Sequence, residues 1–131
     1  IIDLPENNYD MHCFVSIDKK RKMVGYISYN INWTAMNADR FGVISFEKGN
    51  LTFAKDLYQV ICDLFEKYHM NRIGWEAFAD NPAIRAYRNF IRKYGGRECG
   101  YQRQCVKLQD GKLHDRIEFE ILASEFKKSE I

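Results

Sequence analysis

"RFGVISFEKGNLTFAKDL", residues 40–57, passes through three local regimes in 18 residues. "RFGVISF", 40–46, is short, apolar and rich in β-formers, and reads as a strand. Gly42 inside it marks a close backbone approach or a bulge. "EKGNLT", 47–52, is polar and carries Gly49 and Asn50, which accept the unusual backbone angles of a tight loop. From Phe53 the period changes. Phe53, Leu57, Val60, Ile61, Leu64, Phe65 and Tyr68 fall on one helical stripe, which predicts a helix over 53–69 with Thr52 as its cap. A helix start exposes unpaired N–H groups and a partial positive charge. A loop that converges its amides there, with Lys48 and Lys55 nearby, can hold a phosphate. Gly-Asn loops of this kind also arise for turn reasons alone.

Outward from this stretch, "HCFVSI" (12–17) and "MVGYISYNIN" (23–32) read as strands around the charged turn "DKKRK", and "WTAMNAD" (33–39) as a connector. Downstream, "NRIGWEAFA" (71–79) returns to strand character, with Ile73, Trp75 and Ala77 on one parity. Strand, helix and strand in this order predict a βαβ unit with parallel strands. Asn81-Pro82 opens a helix over 82–94, a cap followed by proline at the first helical position. Ala83, Ile84, Tyr87, Phe90, Ile91 and Tyr94 share its apolar face, and Gly95 ends it. Residues 97–108 and 115–122 form strands joined by "QDGK", and Ile117, Phe119 and Ile121 alternate with Glu118 and Glu120 so that one face is buried. The predicted order is β-β-β-α-β-α-β-β. "ASEFKKSEI" is a polar tail with room for a helical turn.

The chain has 131 residues, 46% of them hydrophobic and 15% aromatic, enough for one domain with a sizeable core. Its 20 basic and 18 acidic residues leave a net charge of +2, so the balance gives no reason to expect a nucleic-acid partner. An anionic cofactor needs only local positive potential. Cys13, Cys62, Cys99 and Cys105 form no C-x-x-C pair, and His12, His69 and His114 show no metal-site spacing. The expectation is four packed, reduced thiols, no metal, and a cytoplasmic setting. No apolar run approaches the roughly 18 residues of a membrane span. The opening "IIDLPENNYD" lacks the basic and apolar regions of a signal peptide.

Taken together, the strand, phosphate-type loop, helix, strand, "DNPAIRAYRNF" helix and terminal hairpin resemble the GNAT superfamily of N-acetyltransferases. The likeness runs from about Cys13 to Leu122, and Asn81, Pro82 and Tyr87 of the Asn-Pro-x-x-x-x-Tyr element are its sharpest match. It implies a GNAT-like α/β (α+β) fold, a mixed, mostly antiparallel sheet with a splayed parallel strand pair and flanking helices. It implies acetyl-CoA (coenzyme A) as cofactor and acetyl transfer to a primary amine by direct attack. The family's cofactor loop, Gln/Arg-x-x-Gly-x-Gly/Ala, corresponds to "GNLTFA", with Gly49, Thr52 and Ala54 at the three signature positions. Backbone groups of Gly49, Asn50, Leu51, Thr52, Phe53 and Ala54 would meet the pyrophosphate, and those of Ile44, Ser45 and Phe46 the pantetheine amides. Asn81 would reach the cofactor, and Tyr87 would be the general acid beside the thioester sulfur. Asp39 and Glu47 are the candidate bases. The likeness treats residues 1–131 as one acetyltransferase-like domain lacking the family's N-terminal strand and helices, acting on a small-molecule or peptide amine, with a homodimer as one way to complete the acceptor wall.

Each feature also has a purely structural reading. Asn81-Pro82 is explained by capping, and Tyr87 by its place in an apolar stripe. Lys19, Lys20, Arg21 and Lys22 read as a solvated hairpin tip. Arg85, Arg88 and Arg92 share a helix face that solvates or meets the adenosine 3′-phosphate, and Trp33 and Trp75 read as packing residues. A non-catalytic coenzyme A-binding or protein-interaction module of the same fold is the alternative function.

Overall fold

A computed structural model describes residues 1–3 and 8–127. The chain falls into two compact units, Ile1–Asn71 and Arg72–Ile131. The first unit carries β1 (Ile2–Asp3), β2 (Met11–Ile17), β3 (Met23–Asn32), β4 (Asn37–Ser45) and α1 (Leu51–Glu66). The second carries β5 (Arg72–Phe78), α2 (Ile84–Tyr94), β6 (Arg97–Lys107) and β7 (Leu113–Leu122). The fold class is the expected α/β one, and every strand pairing inside either unit is antiparallel.

In the first unit, β3 lies between β2 and β4, and β1 edges β2. The central place of β3 explains its burial, near-continuous where a one-sided strand would alternate: Val24, Ile27, Tyr29 and Ile31 are all buried. Helix α1 covers β2 and β3 with Phe53, Val60, Ile61, Leu64 and Phe65, the predicted stripe. Gly25 makes that seat. A Cβ added there would stand 2.2 Å from the Phe53 ring, so the strand needs glycine for the helix to close on it. Gly42 matches the sequence expectation: a Cβ there would meet Ser28 Oγ at 2.7 Å. Beside it the β3–β4 register slips between Ser28 and Asn30, where Arg40 takes φ 53°, a bulge in β4.

In the second unit the order is β5-β7-β6. Ile117, Phe119 and Ile121 are buried on β7 as the alternation predicts, and Ile117 and Phe119 form the core beneath α2 with Ile84. Trp75 stacks on Phe119, centroids 5.4 Å apart and planes 10° apart. Gly95 ends α2 with φ 103° and donates its N–H to Ile91 O.

Several boundaries differ from the sequence reading, each for a local reason. Helix α1 begins at Leu51 and its cap is Asn50, whose Oδ1 accepts from Phe53 N at 2.9 Å. Thr52 therefore lies inside the first turn. The helix stops at Glu66, short of 69, because His69 enters the left-handed region and Met70 N returns to Leu64 O. Residues 37–39, expected as connector, open β4, and the reversal is compressed into 33–36 by Ala35 N donating to Asn32 Oδ1. Helix α2 begins at Ile84, two residues late: Pro82 and Ala83 form a turn closed by Ile84 N to Asn81 O. The segment before β2 is not wholly irregular, since Ile2 and Asp3 pair with Val15 and Phe14. The tail forms a turn at 123–125, and residues 128–131 lie outside the described ones. None of the four cysteines is in a disulfide, but only Cys13 and Cys62 are buried. Cys105 is exposed because it lies in a bulge of β6, whose register slips between Gln102 and Val106.

Candidate active site

The first unit places most of the predicted cofactor residues on one continuous stretch, the end of β4 and the start of α1. Ile44, in β4, and Phe46, just past its end, are each more than half exposed. The next loop is held by polar contacts. Ser45 Oγ donates to Glu47 O at 2.6 Å, and Asn50 Nδ2 donates to Glu47 Oε2 at 3.1 Å. Glu47 also pairs with Lys22 of the β2–β3 turn. Asn50 thus splits its amide, nitrogen to Glu47 and oxygen to Phe53 N. Gly49 uses the left-handed region, φ 70°, and open space surrounds its Cα. Asn50 stays extended at φ −69°, as a cap requires.

The amide inventory of this first turn is decisive for its chemistry. Phe53 N is taken by the cap and Ala54 N by Asn50 O. Leu51 and Thr52 keep N–H groups that meet no acceptor among the described residues. Leu51 is 76% exposed and Thr52 is half-buried. The two open amides suit an anion here, and the helix dipole favours it. Lys48 and Lys55 are exposed on either side.

The two candidate bases are not brought together. Asp39 is exposed near the start of β4 and pairs in register with Asn30. Glu47 lies past the other end of the strand, about 20 Å or more away at roughly 3.3 Å per residue. The side-chain hydrogen bond from Lys22, then that from Asn50, hold the Glu47 carboxyl below its usual range. It is ionised at neutral pH, with both oxygens engaged.

The second unit holds the other two predicted residues. Asn81 Oδ1 accepts from Ala83 N at 2.8 Å, an Asx turn two residues ahead of the helix. The helix's own N-cap, Ala83, has no side-chain cap bond. Tyr87, one turn on, is half-buried. Its ring meets Trp75 and Phe119 edge-on, at centroid distances of 6.1 and 5.8 Å. Burial pushes its hydroxyl above the ordinary tyrosine value, so it keeps its proton at physiological pH. Trp75 Nε1 is buried beneath α2 with no hydrogen-bond partner among the described residues. On the helix surface Arg88 pairs with Glu98 at 2.6 Å and Arg92 donates to Asn89 at 3.0 Å, so two of the three aligned arginines are already engaged.

Sequence reasoning missed two groups. Lys22 belongs to the loop network although it lies 25 positions before Glu47; only the β3–β4 register discloses that. His114 sits between Asp80 and Asp110, with Nδ1 3.1 Å from Asp80 and Nε2 2.8 Å from Asp110. This joins the turn before Asn81 to the β6–β7 turn. Among the described residues no cluster of three or more His, Cys, Asp or Glu could hold a metal, and no helix is long and apolar enough to cross a membrane.

The fold recurs in solved structures. A point mutant of spermidine N-acetyltransferase SpeG from Vibrio cholerae superposes with a TM-score of 0.74 at 19% identity, over 88% of this chain and 67% of that one. Spermidine/spermine N-acetyltransferase SpeG from Vibrio cholerae in complex with manganese ions gives 0.72 at 24% identity, over 88% and 66%. The fold is that of GNAT N-acetyltransferases. The GNAT fold is shared at low identity, and the chain spans about two thirds of the length of these structures. No family model and no curated protein matches the sequence.

Proposed function

We propose that the chain is an acetyl-CoA-dependent N-acetyltransferase that moves an acetyl group to a primary amine by direct attack. One observation carries this reading: a GNAT fold whose strand–loop–helix stretch ends in two open amides, at Leu51 and Thr52, where the family resemblance leads us to expect a cofactor pyrophosphate. The bound cofactor would supply the acetyl thioester. Within the Gly49–Ala54 backbone the open amides of Leu51 and Thr52 bind its pyrophosphate, and the backbone of Ile44, Ser45 and Phe46 pairs with its pantetheine amides. Main-chain donors do this work, so Gly49 and Thr52 at signature positions leave it intact.

Tyr87 donates the proton that the leaving thiolate requires. Its raised pKa suits an acid that must be protonated at rest, and its ring is braced by Trp75 and Phe119. Asn81 contributes to cofactor binding through the edge of its Asx turn. Asp39, which accepts no side-chain hydrogen bond among the described residues, and Glu47 are the candidate bases for the amine proton. Acceptors are small amines, with polyamines, amino acids and peptide N-termini all in the class.

A second reading, a non-catalytic coenzyme A-binding or protein-interaction module, is favoured by Glu47, whose tie to Lys22 and Asn50 makes it a weak base. Free-thiol release across a panel of amines, beside calorimetric titration with coenzyme A, separates the two. Turnover with any amine supports the enzyme. Binding without turnover leaves the module, and no binding at millimolar ligand sinks both.

A further inference from the structure

We propose that Lys22 is a positioning residue for the cofactor's anionic arm, acting by neutralising Glu47 at the mouth of the amide loop. The inference rests on the acetyltransferase reading above. Strands β3 and β4 stay paired to their ends: Gly25 faces Ser45, and Phe46 N donates to Val24 O at 3.0 Å. Lys22, just before β3, is thereby carried to Glu47, just past β4. The turn that holds it is stiff. Asp18 Oδ1 accepts from Lys20 N at 2.8 Å and Lys22 N at 2.9 Å, Asp18 N donates to Lys22 O at 3.0 Å, and Arg21 takes φ 63°. The ammonium is aimed from a fixed backbone.

From there a polar chain runs Lys22–Glu47–Asn50–Phe53 and ends on the first turn of α1. The open amides of Leu51 and Thr52 adjoin its last links. An anion arriving there meets the field of Glu47, four residues from Leu51 along the chain. Unscreened, a carboxylate this near a phosphate opposes it, and the repulsion reaches about 10 Å in 0.1 M salt. Lys22 cancels it. As a surface pair, with side chains 63% and 39% exposed, Lys22 and Glu47 add little to stability. Their effect lies in the charge they present to a ligand.

The test is the Kd of coenzyme A by isothermal titration calorimetry, at low and high salt, for the wild type, K22A, K22Q, K22R and K22A/E47Q. At low salt, K22A and K22Q should weaken binding by roughly three- to tenfold, and high salt should close the gap. K22R should bind as the wild type, and K22A/E47Q should return to within about twofold of it once the uncompensated carboxylate is gone. A role in loop shape alone would leave K22A/E47Q as weak as K22A, and that result overturns the proposal. Variants indistinguishable from a binding wild type overturn it as well, and leave the acetyltransferase reading standing. A wild type that binds no coenzyme A overturns both.

Discussion

Helices α1 and α2 both begin just after an asparagine, and the two asparagines do different things. Asn50 is extended, the helix follows at once, and its side chain caps Phe53 N. Asn81 is followed by Pro82, and its side chain closes a turn onto Ala83 N while the helix waits until Ile84. The anchoring differs too. Phe53 of α1 closes over the bare backbone of Gly25, whereas Ile84 and Tyr87 of α2 rest on the Trp75–Phe119 stack. The first start is held by a polar cap and leaves two amides free. The second is held by apolar packing and presents one hydroxyl.

The strongest way to break this contrast is to remove the floor of α2. Phe119→Ala should cost about 3–5 kcal/mol in denaturant unfolding, as buried Phe→Ala changes do, and a loss below about 1 kcal/mol would mean that α2 does not depend on the stack. Tyr87→Phe keeps the ring. It should lower kcat by about a hundredfold or more while the Kd of coenzyme A stays put; unchanged turnover would return Tyr87 to a packing role. Asn50→Ala removes a true cap and should cost about 1 kcal/mol. Asn81→Ala breaks only an Asx turn and should cost half of that or less, so equal losses would erase the distinction between the two starts.

The smallest expected effect is on pH. Asp110, desolvation opposing it, and then Asp80 raise the His114 pKa above its ordinary value. A raised folded pKa contributes stability that is fully present below the unfolded value of about 6.5 and is lost as pH rises through the folded pKa. Unfolding midpoints of the wild type should therefore decline more across that window than those of His114→Gln, and parallel pH profiles would show that the pairing contributes nothing.

Much of this was legible beforehand because its physics is local. The α1 stripe follows from helical period, β7 from strict alternation, Gly42 from the close approach of a neighbouring strand and Gly95 from the backbone freedom that a helix end demands. The candidate site was legible in its main-chain part, since Gly49 and Asn50 announce a loop into a helix. It was illegible where it depends on register. Capping falls to Asn50 instead of Thr52 because the helix starts two residues earlier than its apolar stripe, and the Asn50 side chain accepts from Phe53 N. Asp39 and Glu47 look alike in sequence, yet a strand's length separates them.

The sequence by itself determined the order of elements from β2 onward, the buried faces and the kind of loop that leads into α1, since each depends on neighbours within a few residues. Only the tertiary structure decided that Lys22 neutralises Glu47, that Tyr87 leans on Trp75 and Phe119, and that His114 bridges two turns. Apart from the local His114–Asp110 pair, those contacts join residues 12 to 34 positions apart, and which residues meet at such range is fixed by strand register and helix seating, which no local pattern encodes.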